Sequence, residues 1–244
     1  MIEVSVITPT YNRRAFIPAL IEIYKSQTFP KEKMEWIIID DGRDKVEDLF
    51  IEAAKTIPNL RYQYVSEKLR IGAKRNQLNK EARGAIIVAM DDDDYYPPQR
   101  VQTVVDAFVK YPKMDVAGSS EMYMYYIDTK KIYSMGPYGA NHATNGTMAY
   151  RKRFADTHFY NNYTTMGEEK AFLENYSHPM IQLDPKLTIL VICHTDNTVD
   201  KHEIRNSLSV PGKRTYQIKE LSYQLHDIVI NPYLQEFYHT LDTE

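Results

Sequence analysis

Four carboxylates in a row, Asp91-Asp92-Asp93-Asp94, follow directly on the apolar run Ala85 to Met90. A strand-length apolar run that ends in like charges sets them at one edge of a sheet, where their repulsion calls for a cation. Hard oxygen donors suit Mg²⁺ or Mn²⁺, ions that bridge a diphosphate while one or two carboxylates hold them. In extended backbone, residues two apart share a side, so Asp91 and Asp93 are expected to face one ligand and Asp92 another group. A solvated acidic turn, or a helix N-cap ahead of Pro97-Pro98, would leave the same run. Asp40-Asp41-Gly42 closes a second apolar run, Trp36 to Ile39. A carboxylate there can accept the imide N–H of a uracil while backbone groups read its carbonyls; an Asx-type turn with Gly42 at positive φ has the same sequence. Thr8-Pro9-Thr10-Tyr11-Asn12 ends the run Val4 to Ile7, and Tyr11 offers a flat face to a base or to the first helix. Lys74 and Arg75 follow Gly72 at the start of a helical stretch, where they oppose a diphosphate or form an exposed basic face.

These residues need strands to end beneath them and helices to start beside them. Arg13 to Ser26 places Phe16, Leu20, Ile23 and Tyr24 near helical spacing, and Lys45 to Lys55 does the same with Val46, Leu49, Phe50, Ala53 and Ala54. Leu60 to Val65 reads as a third strand, Ile71 to Ala82 as a third helix, Ala85 to Met90 as a fourth strand and Val101 to Val109 as a fourth helix. Strands alternating with helices imply an α/β fold with a Rossmann-like, mainly parallel central sheet flanked by helices. Past Met114 the pattern changes. Val116 to Ser119 precedes a hairpin, Met122 to Ile127 with Ile132 to Met135, giving a smaller antiparallel β element. Its Tyr123, Tyr125, Tyr126 and Tyr133 suit either a stacked sugar or a core. Arg151 to Asp156 and Glu168 to Tyr176 read as short helices, and Leu187 to Cys193 as a buried strand. Lys213 to Leu241 reads as a long amphipathic C-terminal helix with a stop near Pro232. The simplest organisation is one domain, 1–244. Its first 115 or so residues hold a nucleotide-like ligand and its remainder, 116–244, shapes a second pocket, because ligands sit at the carboxyl ends of open parallel sheets.

The composition narrows the field. The chain has 244 residues, 43% hydrophobic, and its 30 basic side chains against 33 acidic ones give a formal net charge of −3. A general attraction to nucleic acid is therefore not expected. Cys193 is the one cysteine, which excludes an internal disulfide or a two-thiolate zinc site. No apolar run approaches the roughly 20 residues of a bilayer span, and the N-terminus has no secretory pattern. The expectation is a soluble cytoplasmic protein with no integral membrane span.

Taken together, Thr8-Pro9-Thr10-Tyr11-Asn12-Arg13, Ile37-Ile38-Ile39-Asp40-Asp41-Gly42, Gly72-Ala73-Lys74-Arg75-Asn76 and Asp91-Asp92-Asp93-Asp94 with Pro98 resemble family 2 glycosyltransferases of GT-A fold. The resemblance covers residues 1 to about 115 and is slight beyond. It implies that Thr8, Pro9, Tyr11 and Asp41 line the nucleotide pocket, with Lys74 and Arg75 near the diphosphate. The acidic run becomes the family's Asp-x-Asp motif, with Asp93 the direct metal ligand and Asp91 or Asp92 near ribose and metal. His194, in Cys193-His194-Thr195-Asp196-Asn197-Thr198, resembles the segment that completes the metal or diphosphate site from the C-terminal half. Gly167-Glu168-Glu169 is similar to the family's acidic pair, commonly Glu-Asp, that supplies the catalytic base. Both members here are Glu, and Glu174 and Asn175 stand where the family's downstream Arg is sought.

By that resemblance the chain is a metal-dependent inverting hexosyltransferase. It would use Mn²⁺ or Mg²⁺ to move a sugar from a UDP-sugar to a hydroxyl of a glycan, lipid or protein acceptor. Glu169, or else Glu168, would take the hydroxyl proton with an ordinary carboxylate pKa, ionised at neutral pH. Two alternatives stand beside it: a two-ion phosphoester hydrolase acting on a nucleotide or sugar phosphate, and a nucleotide-sugar-binding module without turnover.

Overall fold

The computed structural model describes residues 1–194, 197, 201, 205 and 217–241. The expected alternation is present: β1 (Val4–Thr10), α1 (Ile17–Ser26), β2 (Met34–Asp40), α2 (Glu47–Ala54), β3 (Leu60–Tyr64), α3 (Ile71–Glu81), β4 (Ile86–Ala89) and α4 (Arg100–Lys110). Then follow β5 (Val116–Gly118), β6 (Met122–Tyr126), β7 (Lys131–Met135), β8 (Ala149–Arg151), α5 (Lys152–Ala155), α6 (Glu169–Phe172), β9 (Ile181–Gln182), β10 (Leu190–Cys193) and β11 (Ile218–Glu220). The large sheet has the order β3-β2-β1-β4-β8-β5-β9, so the strand that ends in the acidic run is its central one.

All seven residues of β1 and of β2 are buried, as expected of parallel strands covered on both faces. Alternate residues feed opposite cores. Val4 and Val6 join Trp36 and Ile38 in the cluster under α1 and α2, while Ile7, Ile37 and Ile39 join Leu78 of α3 on the other face. Tyr24 of α1 lies flat on Trp36, with centroids 4.4 Å apart. The buried face of α3 is largely polar, with Lys74, Arg75 and Asn79 beside Gly72 and Leu78. A helix that buries charge must do so against something charged, and here it faces the end of β4.

β8 runs antiparallel between β4 and β5, with Val88 opposite Ala149. The three residues Ala149–Arg151 are too short for any periodic signal, and the sequence does not announce this strand. It carries the preceding segment, residues 144–148, to the carboxyl end of β4. The small sheet has the order β10-β6-β7-β11. Its β6–β7 hairpin has the expected antiparallel register, but β10 pairs with β6 in parallel, so the element is mixed. Tyr125 and Tyr126 are fully buried in it, which decides in favour of core packing.

The long C-terminal helix is not what forms. Residues 213–216 lie outside those described. Ile218–Glu220 is a strand paired with β7, residues 225–227 make one 3₁₀ turn, and the helix is confined to Pro232–Thr240. Pro232 starts it instead of stopping it: proline's fixed φ and missing N–H suit a first helical turn, and the Asn231 side chain accepts the Tyr233 N–H at 2.9 Å as cap. Among the described residues no helix is long and apolar enough to cross a membrane.

α3 is clasped to the loop that leads into α6. Asn76 donates to the Tyr160 carbonyl at 2.8 Å and accepts the Tyr160 N–H at 2.9 Å. One turn earlier, a β-carbon on Gly72 would lie 2.0 Å from the Asn161 carbonyl oxygen. Gly72→Ala should therefore push helix and loop apart, lowering stability by about 1–3 kcal/mol and Tm by roughly 2–12 °C in thermal melts.

Candidate active site

β1, β2 and β4 all end at one edge of the large sheet, with Thr10 opposite Asp40 and Ile7 opposite Ala89. The loops that leave them wall a cleft of about 630 Å³, within the usual range for small-molecule sites. Pro9, Tyr11, Lys74, Arg75, all four aspartates, Glu168 and Glu169 line it, and Met122, Met124 and Met135 of the small sheet add an apolar wall.

The acidic run is not extended: residues 92–94 form a turn, so the two-apart rule fails and each carboxylate finds its own partner. Asp91 accepts from Arg75 Nη1 at 3.0 Å. Asp92 is buried, 4.0 Å from Arg13 Nε, and burial together with the charge of Asp93 pushes its carboxyl up to about 8. Burial also acts on Asp93, yet a hydrogen bond to His194 and the charges of Lys201 and Arg13 hold it down at about 2. Asp94 accepts the Ile192 N–H of β10 at 2.9 Å, and burial and its like-charged neighbours, opposed by Lys201, put it at about 7.

His194 follows β10 directly, and its Nε2 lies 3.2 Å from Asp93 Oδ2. Its orientation is fixed by Asn197, whose Oδ1 accepts the His194 backbone N–H at 2.9 Å and whose Nδ2 reaches Nε2 at 2.8 Å. Nε2 and the Asp93 carboxylate are thus held side by side at a separation that an Nε2–H hydrogen bond spans and where a cation could replace the proton. Among the described residues six carboxylates, Asp91 to Asp94, Glu168 and Glu169, and five basic side chains, Arg13, Lys68, Lys74, Arg75 and Lys201, line the cleft. An oxygen and an imidazole nitrogen suit Mn²⁺, so Asp93 and His194 fit a divalent ion. Asp91 holds Arg75 through Oδ1.

Across the cleft, Glu168 and Glu169 flank the start of α6, and the two are not equivalent. Glu168 is buried and accepts from Arg75 Nε at 2.7 Å. Glu169 is half-buried, and burial with the charge of Glu168 raises it to about 7, not to an ordinary carboxylate value. Arg75 thus bridges Asp91 and Glu168. The Asn145 amide, oriented to satisfy its neighbours, accepts from Arg75 Nη1 at 2.7 Å and donates to the Tyr160 hydroxyl at 2.7 Å.

On the opposite side Tyr11 presents its ring, with Lys68 Nζ 3.8 Å above the centroid and Lys74 Nζ 5.9 Å away. Thr8 and Asp41 lie beneath the cleft wall. The Thr8 hydroxyl accepts the Trp36 indole N–H at 3.0 Å. Asp41 has no exposed side-chain surface; it pairs with Lys74 and accepts the Leu69 N–H at 2.7 Å. Asp40, its neighbour, makes the turn, accepting Gly42 N–H at 2.7 Å and the Tyr62 hydroxyl at 2.6 Å. Gly42 is not at positive φ; Asn12 is, at 52°. A β-carbon on Gly42 would lie 2.7 Å from the Asn12 nitrogen, so the glycine is there to let two loops touch.

Arg13, Asn145 and Lys201 are site residues for which the sequence suggests no role. Arg13 stands at the end of the first motif, where a basic residue after a strand end is a readable signal. Asn145 and Lys201 belong to no readable motif, and only the fold brings them to the cleft.

A family model described as Glycosyl transferase family 2 matches residues 5–175. An uncharacterized glycosyltransferase of Haemophilus influenzae is 31% identical over 114 residues, 46% of this chain and 36% of that one. The poly(ribitol-phosphate) β-N-acetylglucosaminyltransferase TarS of Staphylococcus aureus is 30% identical over 117 residues, 48% of this chain and 20% of that protein. The matches thus span between about a fifth and two-fifths of these relatives' length. Among solved structures, S. aureus TarS 1–349 in complex with UDP-GlcNAc aligns with a TM-score of 0.64 at 18% identity, over 84% of this chain and 65% of that one. Mannosyltransferase PcManGT from Pyrobaculum calidifontis, in complex with GDP-Man and Mn²⁺, aligns with a TM-score of 0.64 at 15% identity, over 84% of this chain and 61% of that one. The fold is the one these proteins share.

The carboxyls of Asp92, Asp94 and Glu169 are all raised, to between about 7 and about 8, above the roughly 4 of an unfolded chain. The folded state therefore holds more protons across that window, and stability falls as pH rises through it. Asp93 shifts the other way, and its contribution is lost only as pH falls from about 4 toward about 2. Without ligand, Tm should decline from about pH 5 to pH 8.5. Asp92→Asn should flatten that decline and melt above the parent at the alkaline end.

Proposed function

The chain belongs to glycosyl transferase family 2, and on that premise we propose that it moves a hexosyl group from a UDP-sugar to an acceptor hydroxyl with inversion. The observation that carries the reading is one cleft lined by both Glu169 and Asp93, the latter paired with His194. The bond that forms joins the acceptor oxygen to the anomeric carbon, the bond that breaks joins that carbon to the diphosphate, and the hydroxyl proton passes to Glu169.

Glu169 is the base. Its carboxyl, raised to about 7, is ionised in a large fraction of molecules at neutral pH and basic enough to hold the proton it takes. Glu168 is committed to Arg75 and serves as the anchor that fixes Glu169. Tyr11 and Pro9 form the wall for the base of the donor. The UDP and UDP-GlcNAc complexes of TarS, a protein of the same fold, support a uridine nucleotide. Asp41 reads the base only if Lys74 or the Leu69 N–H gives way. Lys74, released in that way, would face the diphosphate, while Arg75 acts on it from behind Asp91. Asp92 lies beside Asp91 toward the ribose.

Asp93 and His194 would hold Mn²⁺ or Mg²⁺, which when bound supplies positive charge to the departing diphosphate. Arg13 and Lys201 line the cleft beside them and add charge of the same sign. Residues 1 to 115 hold the donor. The remainder supplies Glu169, His194 and the methionine wall, where a glycan, lipid or protein acceptor would enter.

A thermal-shift panel of UDP-, GDP- and TDP-sugars with and without Mn²⁺ tests the donor, since a ligand that binds only the folded state raises Tm. A UDP-sugar should give the largest shift, and Asp93→Ala should erase its Mn²⁺-dependent part. With donor and acceptor supplied, Glu169→Gln should lower kcat by about 10²–10⁴-fold while UDP binding persists. The parent kcat should climb with pH through about 7, the deprotonation of Glu169. Full turnover in Glu169→Gln would sink the assignment of the base.

A further inference from the structure

Outside the cleft, the described residues bring together one more set of metal-binding side chains, His158, Glu174 and His178, each offering a ligand atom within 4.8 Å of the others. His158 closes the turn after α5, and Glu174 and His178 follow α6. The chain between them is the loop that lines the cleft with Thr165, Met166, Gly167, Glu168 and Glu169. Both imidazoles rest on one ring, that of Phe154, with His158 stacked at 3.8 Å and His178 tilted at 4.6 Å. Phe154 in turn meets Phe172 of α6 edge-on at 5.2 Å.

The side chains are already arranged around a common point. His158 Nδ1 lies 3.1 Å from the Phe154 carbonyl oxygen and 2.9 Å from the Thr157 hydroxyl, which leaves Nε2 directed at Glu174 Oε1, 3.6 Å away. The His178 ring stands beside it with centroids 5.4 Å apart. A histidine whose other nitrogen donates to a backbone carbonyl is the usual arrangement around a bound metal. The backbone is bent to make the meeting possible: Glu174, Asn175 and Tyr176 have φ of 48°, 59° and 60°, a left-handed run without glycine.

The geometry points to a zinc site at His158, Glu174 and His178, an ion separate from any in the cleft, that fastens the two ends of the Glu168–Glu169 loop to each other. Two imidazoles, one carboxylate and an open fourth position suit Zn²⁺. At Zn–N and Zn–O bonds of about 2.0–2.2 Å, tetrahedral ligand atoms lie roughly 3.3–3.5 Å apart, so the His158–Glu174 pair, at 3.6 Å, already stands near that spacing and His178 has at most about 1.5 Å to close. The site would act on the reaction only by positioning the loop. It stands whether or not the cleft is a sugar-transfer site.

The test uses the full chain without an affinity tag, stripped of metal, titrated with Zn²⁺ by calorimetry and with Co²⁺ by visible absorption. One Zn²⁺ per chain should bind with a rise in Tm, and Co²⁺ should give the intense bands of tetrahedral coordination. Both signals should survive Asp93→Ala. Glu174→Gln, at an exposed position, and His178→Ala should each weaken Zn²⁺ binding by at least the 10–100-fold that loss of an outer-shell partner typically costs, with unchanged circular dichroism of the metal-free Glu174→Gln protein. Absence of Zn²⁺ binding overturns the proposal, as does binding that vanishes in Asp93→Ala or is indifferent to Glu174→Gln and His178→Ala.

Discussion

Four adjacent carboxylates sunk at the end of a central strand cannot all be ionised unless positive charge is brought to them. Taking each ion out of water costs several kcal/mol even after relaxation, and their mutual repulsion adds to that. Much of the architecture around the cleft answers this constraint. α3 gives up an apolar face so that Arg75 can reach Asp91, the loop after β1 sends Arg13 toward Asp92 and Asp93, and β10 lends a backbone N–H to Asp94 and His194 to Asp93. Where no partner suffices, the proton stays: Asp92, raised to about 8, is largely neutral at pH 7. The site is therefore held together without a ligand, and positive charge arriving beside it would displace that proton.

Arg75 is the point through which the two sides of the cleft communicate. Its guanidinium spans Asp91 and Glu168 with its side chain only 5% exposed, and Asn145 takes up a further N–H. A planar fork with five donors can serve three acceptors at once, whereas a lysine in the same place would leave at least one acceptor without an in-plane donor. Removing it would strand the buried Glu168 and the partly buried Asp91, a loss on the scale of about 3–5 kcal/mol for a broken buried pair. The acidic run and the start of α6 are thus one electrostatic unit, although 74 to 78 residues separate Asp91 and Asp94 from Glu168 and Glu169 in the chain.

The sequence makes the first half of this readable because strand ends announce themselves. Apolar runs halted by Thr8-Pro9, Asp40-Asp41 and Asp91 mark where β1, β2 and β4 finish, and a parallel sheet gathers those finishes on one edge. Pairings across the fold are another matter. Which of Glu168 and Glu169 is tied down depends on the position of Arg75, and Arg75 meets both Asp91 and Glu168 only in the folded chain, which no local spacing shows. Asp40 and Asp41 look alike on the page, yet one closes a turn and the other is locked to Lys74. The C-terminal segment misleads for a different reason: helical spacing cannot tell a long helix from a strand, a turn and a short helix when Pro232 can end one element or begin the next.

The split between Glu168 and Glu169 shows how one local sequence yields two kinds of carboxyl. Both are drawn into the cleft wall, and burial raises the carboxyl of Glu169. The arginine meets Glu168 directly through Nε, and that pairing keeps a charge one residue away from Glu169. For Glu169 the charge of Glu168 ranks just behind burial, while Arg75 opposes it more weakly and the net result lies near 7. The proton affinity of Glu169 is therefore set by burial first and by the charge of Glu168 second, and more weakly by Asp91. Positive charge arriving at the acidic run would draw on the same balance, lowering the proton affinity of Glu169 as it neutralises Asp91. A carboxyl linked in this way is most readily ionised when positive charge stands at the acidic run.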